Sequence, residues 1–338
     1  MIGRASVFGL ILLAAAPALA GPGPAPAQGG DDPLGGPVLP VRPRIIEPDA
    51  PWTPPPGGPA PDIAFGAYQR GYFIVAFREA NKRVASNPKD AAAMTLIAEI
   101  YRDGFAVKQD FPEAERWFRL ASNLGYSGAQ FERGVMLLDG APGVPRDRDG
   151  ATAEFEKAAK QNYPSALYNL GVLSLEVEPP GKPDFAKAAG YFKRAAELGD
   201  GNAAYSYGVQ LKEGKGVPLD TSEAARWMRT SAEAGIIAGQ VEYAIMLFNG
   251  VGVERDEQGA ARIFTQAATR HNPIAMNRLA HLYLVGRGVP KDIVQAAAWH
   301  RLAKTAGLED AALDKASEGL TAEQQKQVDA FVERQIVF

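Results

Sequence analysis

Three stretches decide the fold: Tyr207–Asp220 (YGVQLKEGKGVPLD), Tyr243–Asp256 (YAIMLFNGVGVERD) and Leu279–Asp292 (LAHLYLVGRGVPKD). They spell one word, each copy beginning 36 residues after the last. The glycines around Lys215 resemble the rim of a phosphate-binding loop. A Walker pattern, however, needs glycine where Val209 stands and Ser or Thr where Gly216 stands, so the match fails at both ends. Recurrence as GVGVERD and GRGVPKD instead marks a connection between helices.

Looser copies extend the series toward the N-terminus: IAEIYRDG from Ile97, RGVMLLDG from Arg133 and LGVLSLEV from Leu170. Six rows result, with steps of 36, 37, 37, 36 and 36 residues. A second, alanine-rich word keeps step with the first, from AERWFRLASNLG at Ala114 to AAAWHRLAKTAG at Ala296. Large and small apolar residues recur at three- and four-residue spacing in both words, the period of a helix with one buried face. Trp117, Trp227 and Trp299, with Tyr191, share one station, which suits repeated packing anchors better than a ligand cage.

The helix ends are also written in the sequence. An aspartate precedes every second helix (Asp110, Asp147, Asp184, Asp220, Asp256, Asp292), where its oxygen can accept from the orphan amides of the first turn. Glu113, Glu223 and Gln295 follow at capping-box distance. Gly125, Gly199, Gly235 and Gly307, with Asn162, close five second helices with residues that tolerate a left-handed backbone. A helix pair this small cannot bury its own apolar face and must stack on its neighbours. The expected fold is all-α, a right-handed superhelical α-solenoid of antiparallel helix pairs. N-terminal capping helices are expected over 63–90, six repeats over 91–307 and one C-terminal capping helix over 308–338, opened by a capping box at Thr321 and Gln324.

The row pattern, a small residue after Leu or Tyr, then Gly-x-Gly-Val-x-x-Asp and an alanine-rich helix, resembles the Sel1-like repeat family, relatives of the tetratricopeptide repeat. The loop is complete at Gly214–Asp220, Gly250–Asp256 and Gly286–Asp292. The first row has Ala106 for the second glycine, the second carries one extra residue, and the third (EVEPPGKPD) departs most. The resemblance implies a protein-interaction scaffold that binds partners along its inner face. Some cysteine-rich relatives are linked to β-lactams, but this chain has no cysteine.

That absence also removes disulfides, thiolate metal sites and a cysteine nucleophile. With 36 basic against 39 acidic residues there is no basic excess for nucleic acid. Arg4, the apolar run Val7–Ala16 and Ala18-Leu19-Ala20 form a secretory signal, with cleavage expected after Ala20 and a periplasmic or secreted product. No later run is long enough to span a membrane. Residues 21–62 hold more than half of the 26 prolines and form a linker.

Catalytic signatures are sparse. Ser86–Lys89 (SNPK) matches the letters of a Ser-x-x-Lys hydrolase, but Pro88 interrupts it and the companion motifs are missing. His271, His281 and His300 form no His-x-x-x-His pair. No enzyme activity, cofactor or metal is expected. The first helices offer the candidate partner groove, Glu99, Phe131, Tyr168, Tyr205, Phe248 and His281, suited to a protein or peptide. Packing within a tightly wound solenoid is the competing use of the aromatic residues. An envelope enzyme acting on peptidoglycan or a β-lactam, and a purely structural spacer, are the alternative functions.

Overall fold

The computed structural model describes residues 62–176 and 181–336. The signal (1–20), nearly all of the linker and residues 177–180 of the third-row loop lie outside them. The described helices are α1 (Ile63–Gln69), α2 (Phe73–Ser86), α3 (Ala91–Asp103), α4 (Phe111–Asn123), α5 (Ser127–Asp139), α6 (Arg148–Lys160), α7 (Pro164–Leu175), α8 (Phe185–Glu197), α9 (Gly201–Glu213), α10 (Thr221–Glu233), α11 (Ile237–Asn249), α12 (Glu257–Ala268), α13 (Pro273–Val285), α14 (Ile293–Thr305), α15 (Ala311–Ser317) and α16 (Ala322–Ile336). Odd numbers from α3 to α13 are the first helices of the six rows and even numbers from α4 to α14 the second. The chain forms two compact units divided between Glu154 and Phe155, within α6.

All six row aspartates cap their helices, accepting from a first-turn amide at 2.7–3.0 Å. The capping-box expectation at Glu113, Glu223 and Gln295 is corrected. Each aspartate's own N–H is already spent on a carbonyl of the preceding first helix, as in Asp110 to Tyr101, Asp220 to Leu211 and Asp292 to Tyr283, at 2.9–3.0 Å. That bond ties the loop to the helix it has just left. The freed carboxylates turn elsewhere: Glu223 accepts from Trp227 Nε1 at 3.3 Å, and Glu113 pairs with Arg116. The box at Thr321 does form, Thr321 N donating to Gln324 Oε1 (2.9 Å) and Gln324 N to Thr321 Oγ1 (3.2 Å).

The second helices end alike. Gly125, Asn162, Gly199, Gly235, His271 and Gly307 all take positive φ, between 58° and 92°. Paired bonds close each end; Tyr126 N reaches Ala121 O and Gly125 N reaches Ser122 O, the Schellman arrangement. His271 is thereby accounted for as a turn residue.

The second glycine of the loop serves a close approach. A Cβ on Gly252 would lie 2.0 Å from Thr221 O, and one on Gly288 2.1 Å from Glu257 O, both at the start of the previous row's second helix. In the second row the extra residue is absorbed by a tight turn in which Ala141 and Val144 exchange backbone bonds of 2.8 Å, and Gly143 approaches Pro112.

One second-helix station carries Phe118, Phe155, Phe192, Met228, Phe264 and His300, all at most 3% exposed. In rows three and four the small residue of the first word stands opposite it, Gly171 at Phe192 and Gly208 at Met228. At Gly171 even a methyl would meet the Phe192 ring at 2.5 Å.

At the N-terminal end α1 and α2 are separated at Gly71 (φ 79°); the C-terminal end departs from the single helix expected there. The C-terminal cap is two helices, because Asp310 caps α15 through the amides of Ala312 and Leu313. Among the described residues no helix is long and apolar enough to cross a membrane.

Candidate functional site

In the unit beginning at Phe155, the first helices α7, α9, α11 and α13 carry Tyr168, Tyr205, Phe248 and His281, all half-buried. Tyr168 and Tyr205 stand 37 residues apart at one station, one row after the other. Val172, Val209 and Ile245 are half-buried too and hold the station that His281 fills in α13. The tyrosines keep their hydroxyls protonated well into alkaline solution. Burial pushes both up, assisted by Asp200 at Tyr168 and by Glu242 and Glu213 at Tyr205.

Polar side chains brace this apolar surface. Lys212 Nζ reaches Glu242 Oε2 at 2.6 Å and joins α9 to α11. The guanidinium of Arg287 lies 4.1 Å over the Phe248 ring and is gripped by Glu257 at 2.7 and 3.2 Å. Those hydrogen bonds, chiefly from Arg287, bring the half-buried Glu257 carboxyl down to about 2. His281 Nε2 lies 2.8 Å from Asp310 Oδ2, which also accepts from Asn277 Nδ2 at 3.0 Å. These bonds hold the Asp310 carboxyl well below its ordinary range, and His281 is committed to docking α15.

In the unit ending at Glu154, Phe131 is 4% exposed and packs inside, so its ring offers nothing to a partner. Glu99 is half-buried near Arg102, Asp103 and Glu132, and burial raises its carboxyl to about 7 against the attraction of Arg102. Arg102 Nη1 pairs with Glu132 Oε2 at 2.6 Å. Arg102–Glu132 and Lys212–Glu242 are each 30 residues apart, so they are one inter-row brace used twice. The sequence carried that signal in its spacing, but it appears in two rows only.

Sequence reasoning also missed Arg133 and Glu154. Arg133 donates to Glu115 Oε1 (2.9 Å) and Glu154 Oε1 (2.7 Å), and Ser122 Oγ donates to Glu154 Oε2 (2.5 Å). Aligning the rows residue by residue exposes the pair, because both stand at stations that are apolar elsewhere.

The serine-lysine letters do not share a helix. Ser86 ends α2, its hydroxyl donating to Arg83 O at 2.9 Å, and Lys89 lies beyond. His300 Nε2 lies 2.9 Å from Asp314 Oδ1, while its buried Nδ1 has no hydrogen-bond partner. Among the described residues no three potential ligands gather as a metal site.

No curated protein matches the chain. Among solved structures it is similar to c5321, a protective antigen present in uropathogenic Escherichia coli strains and displaying an SLR fold, with 25% identity and a TM-score of 0.69. The match covers 81% of this chain and 61% of that one, so the chain spans less than two thirds of that relative. It is also similar to a Sel1 repeat protein from Oxalobacter formigenes, at 25% identity and a TM-score of 0.60, over 73% of this chain and 97% of that one. The Sel1 repeat profile matches residues 91–126, 127–163, 164–200, 201–236, 237–272 and 273–308, in step with the six helix pairs. Those six matches take in more than half of the residues, and the chain belongs to the Sel1 repeat family.

Proposed function

We propose that this protein is an exported, non-enzymatic interaction scaffold that binds a protein or peptide partner across the first helices of α7, α9, α11 and α13. Sel1 repeat proteins generally mediate protein–protein interaction. The observation that carries the finer reading is the half-buried row of Tyr168, Val172, Tyr205, Val209, Ile245 and Phe248. A packed core would cover these side chains, and a surface without a partner would carry polar ones. Aromatic anchors flanked by braced charges suit recognition of a polypeptide. Export rests on the N-terminal signal, and a mature N-terminus at Gly21 in protein recovered from the cell envelope is the expected result.

Affinity capture after crosslinking in intact cells tests the binding surface. Wild-type protein should capture one dominant partner, and Tyr205→Ala should lose it while melting at a similar temperature. Equal capture by both proteins would remove the first-helix face from the account. Turnover of a chromogenic cephalosporin or of muropeptides would replace it with an enzyme.

A further inference from the structure

Row five lacks a ring that its neighbours supply. One second-helix station reads Trp117, Glu154, Tyr191, Trp227, Ile263 and Trp299 through the six rows. In row four Trp227 packs edge-on against Tyr207, with centroids 5.8 Å apart and planes at 73°. The equivalent tyrosine of row five, Tyr243, has Ile263 in place of the indole. Between α10, α11 and α12 there is a cleft of about 400 Å³, lined by Tyr243, Ile263, Gln240, Ala232, Arg229 and Glu233 among others. That is within the range of small-ligand sites.

Gln240, one of the lining residues, carries an unsatisfied acceptor. Gln240 is 8% exposed and its Oε1, shielded from solvent, accepts no hydrogen bond. Its station holds Met94, Leu167, Ala204 and Met276 in four other rows. In the remaining row, Gln130 donates from Nε2 to Ser122 O. A buried acceptor left open is destabilising unless a donor reaches it. At the rim Arg229 and Glu233 pair at 2.7 Å, both side chains 63% exposed.

We propose that this cleft is a binding site for a tryptophan side chain presented by a partner polypeptide. The indole takes the place that Ile263 leaves empty, packs against Tyr243 and, as the Gln240 amide turns into the cleft, donates its ring N–H to Gln240 Oε1. The rim ion pair faces the backbone that carries the ring. A phenyl ring would fill the same space and leave the acceptor open. The site is distinct from the first-helix surface of Tyr168 and Tyr205.

Titration calorimetry of the full chain with N-acetyltryptophanamide tests the proposal. Saturable binding is expected, with a Kd on the order of a millimolar or tighter for so small a ligand. The 1-methylindole analogue and N-acetylphenylalaninamide should bind about 10-fold more weakly, having no ring N–H to donate. Ile263→Trp should abolish binding while its melting temperature is held or raised, since it supplies the ring from within. Gln240→Met should bind the tryptophan and 1-methyl compounds equally. Absence of saturable binding to the wild type, equal binding of both indoles to the wild type, or unchanged binding by Ile263→Trp would overturn the proposal.

Discussion

Replacing Arg133 by alanine removes a guanidinium from between two shielded carboxylates. The side chains of Arg133, Glu115 and Glu154 are 18%, 15% and 3% exposed. Other rows put Ile97, Leu170, Tyr207, Tyr243 and Leu279 at the station of Arg133, and aromatic residues or Ile263 at that of Glu154. An ion pair thus fills an apolar contact. Removing one partner of such a pair typically destabilises by about 3–5 kcal/mol, because the other charge stays desolvated. Arg133→Ala should fall at the upper end, about 4–5 kcal/mol, since it leaves two carboxylates, one almost wholly buried. Glu154→Ala should be milder, about 3 kcal/mol, because Arg133 keeps Glu115. The double variant Arg133→Leu/Glu154→Tyr installs the Leu170/Tyr191 pair of row three and removes both charges, and Glu115 retains Arg119 at 4.0 Å. It should be as stable as the wild type or up to about 4 kcal/mol more stable. Urea unfolding followed by circular dichroism orders the three variants by midpoint and slope. Single variants within about 0.5 kcal/mol of the wild type, or a double variant as weak as either single, would refute the reasoning.

Glu99 gives a pH signature opposite to that of most carboxylates. Its folded value is raised from 4.5 to about 7, so between those values the native state holds a proton that the unfolded state has lost, and stability falls as pH rises. Glu99→Gln should be more stable than wild type by up to ~3 kcal/mol at pH 8, with that advantage fading as pH drops toward 4.5; melts across this range check it. Gly171→Ala should destabilise by about 1–3 kcal/mol because its methyl meets the Phe192 ring, partly offset by helix propensity. Gly208→Ala, whose nearest neighbour at 3.1 Å is the flexible end of Met228, should be neutral or slightly stabilising, and thermal melts of the two side by side test the contrast. Gly252→Ala should be the most damaging glycine change, since its φ of 69° and the Thr221 carbonyl at 2.0 Å both exclude a side chain, and a native-like melt would remove the close-approach argument.

Periodicity made the fold legible because each row solves the same problem. Six aspartates at one station could be read as caps without a structure, and Gly125, Asn162 and their equivalents as helix ends. The same regularity hid the exceptions. Arg133 and Glu154 break the apolar pattern in one row only, and a reading that sought agreement between rows passed over them. The capping-box letters at Glu113 and Glu223 were present, but sequence cannot say that Asp110 N–H and Asp220 N–H already bond to Tyr101 O and Leu211 O. α15 was missed because its short apolar face depends on Asp310, whose other partners, Asn277 and His281, lie 33 and 29 residues away. The candidate groove was legible as a set of stations, yet burial divides it. Phe131 and Tyr168 hold equivalent stations, and only the second reaches the surface.

The most direct test of the central claim is site-specific photocrosslinking in intact cells. p-Benzoylphenylalanine placed at Tyr205 replaces one half-buried aromatic with another; placed at Arg262 of α12, where the side chain is 70% exposed, it probes the second-helix side. A single dominant protein adduct from Tyr205, and none of that mass from Arg262, is the predicted result. The same adduct from both positions, or from Arg262 alone, would contradict the assignment of partner binding to the first-helix face.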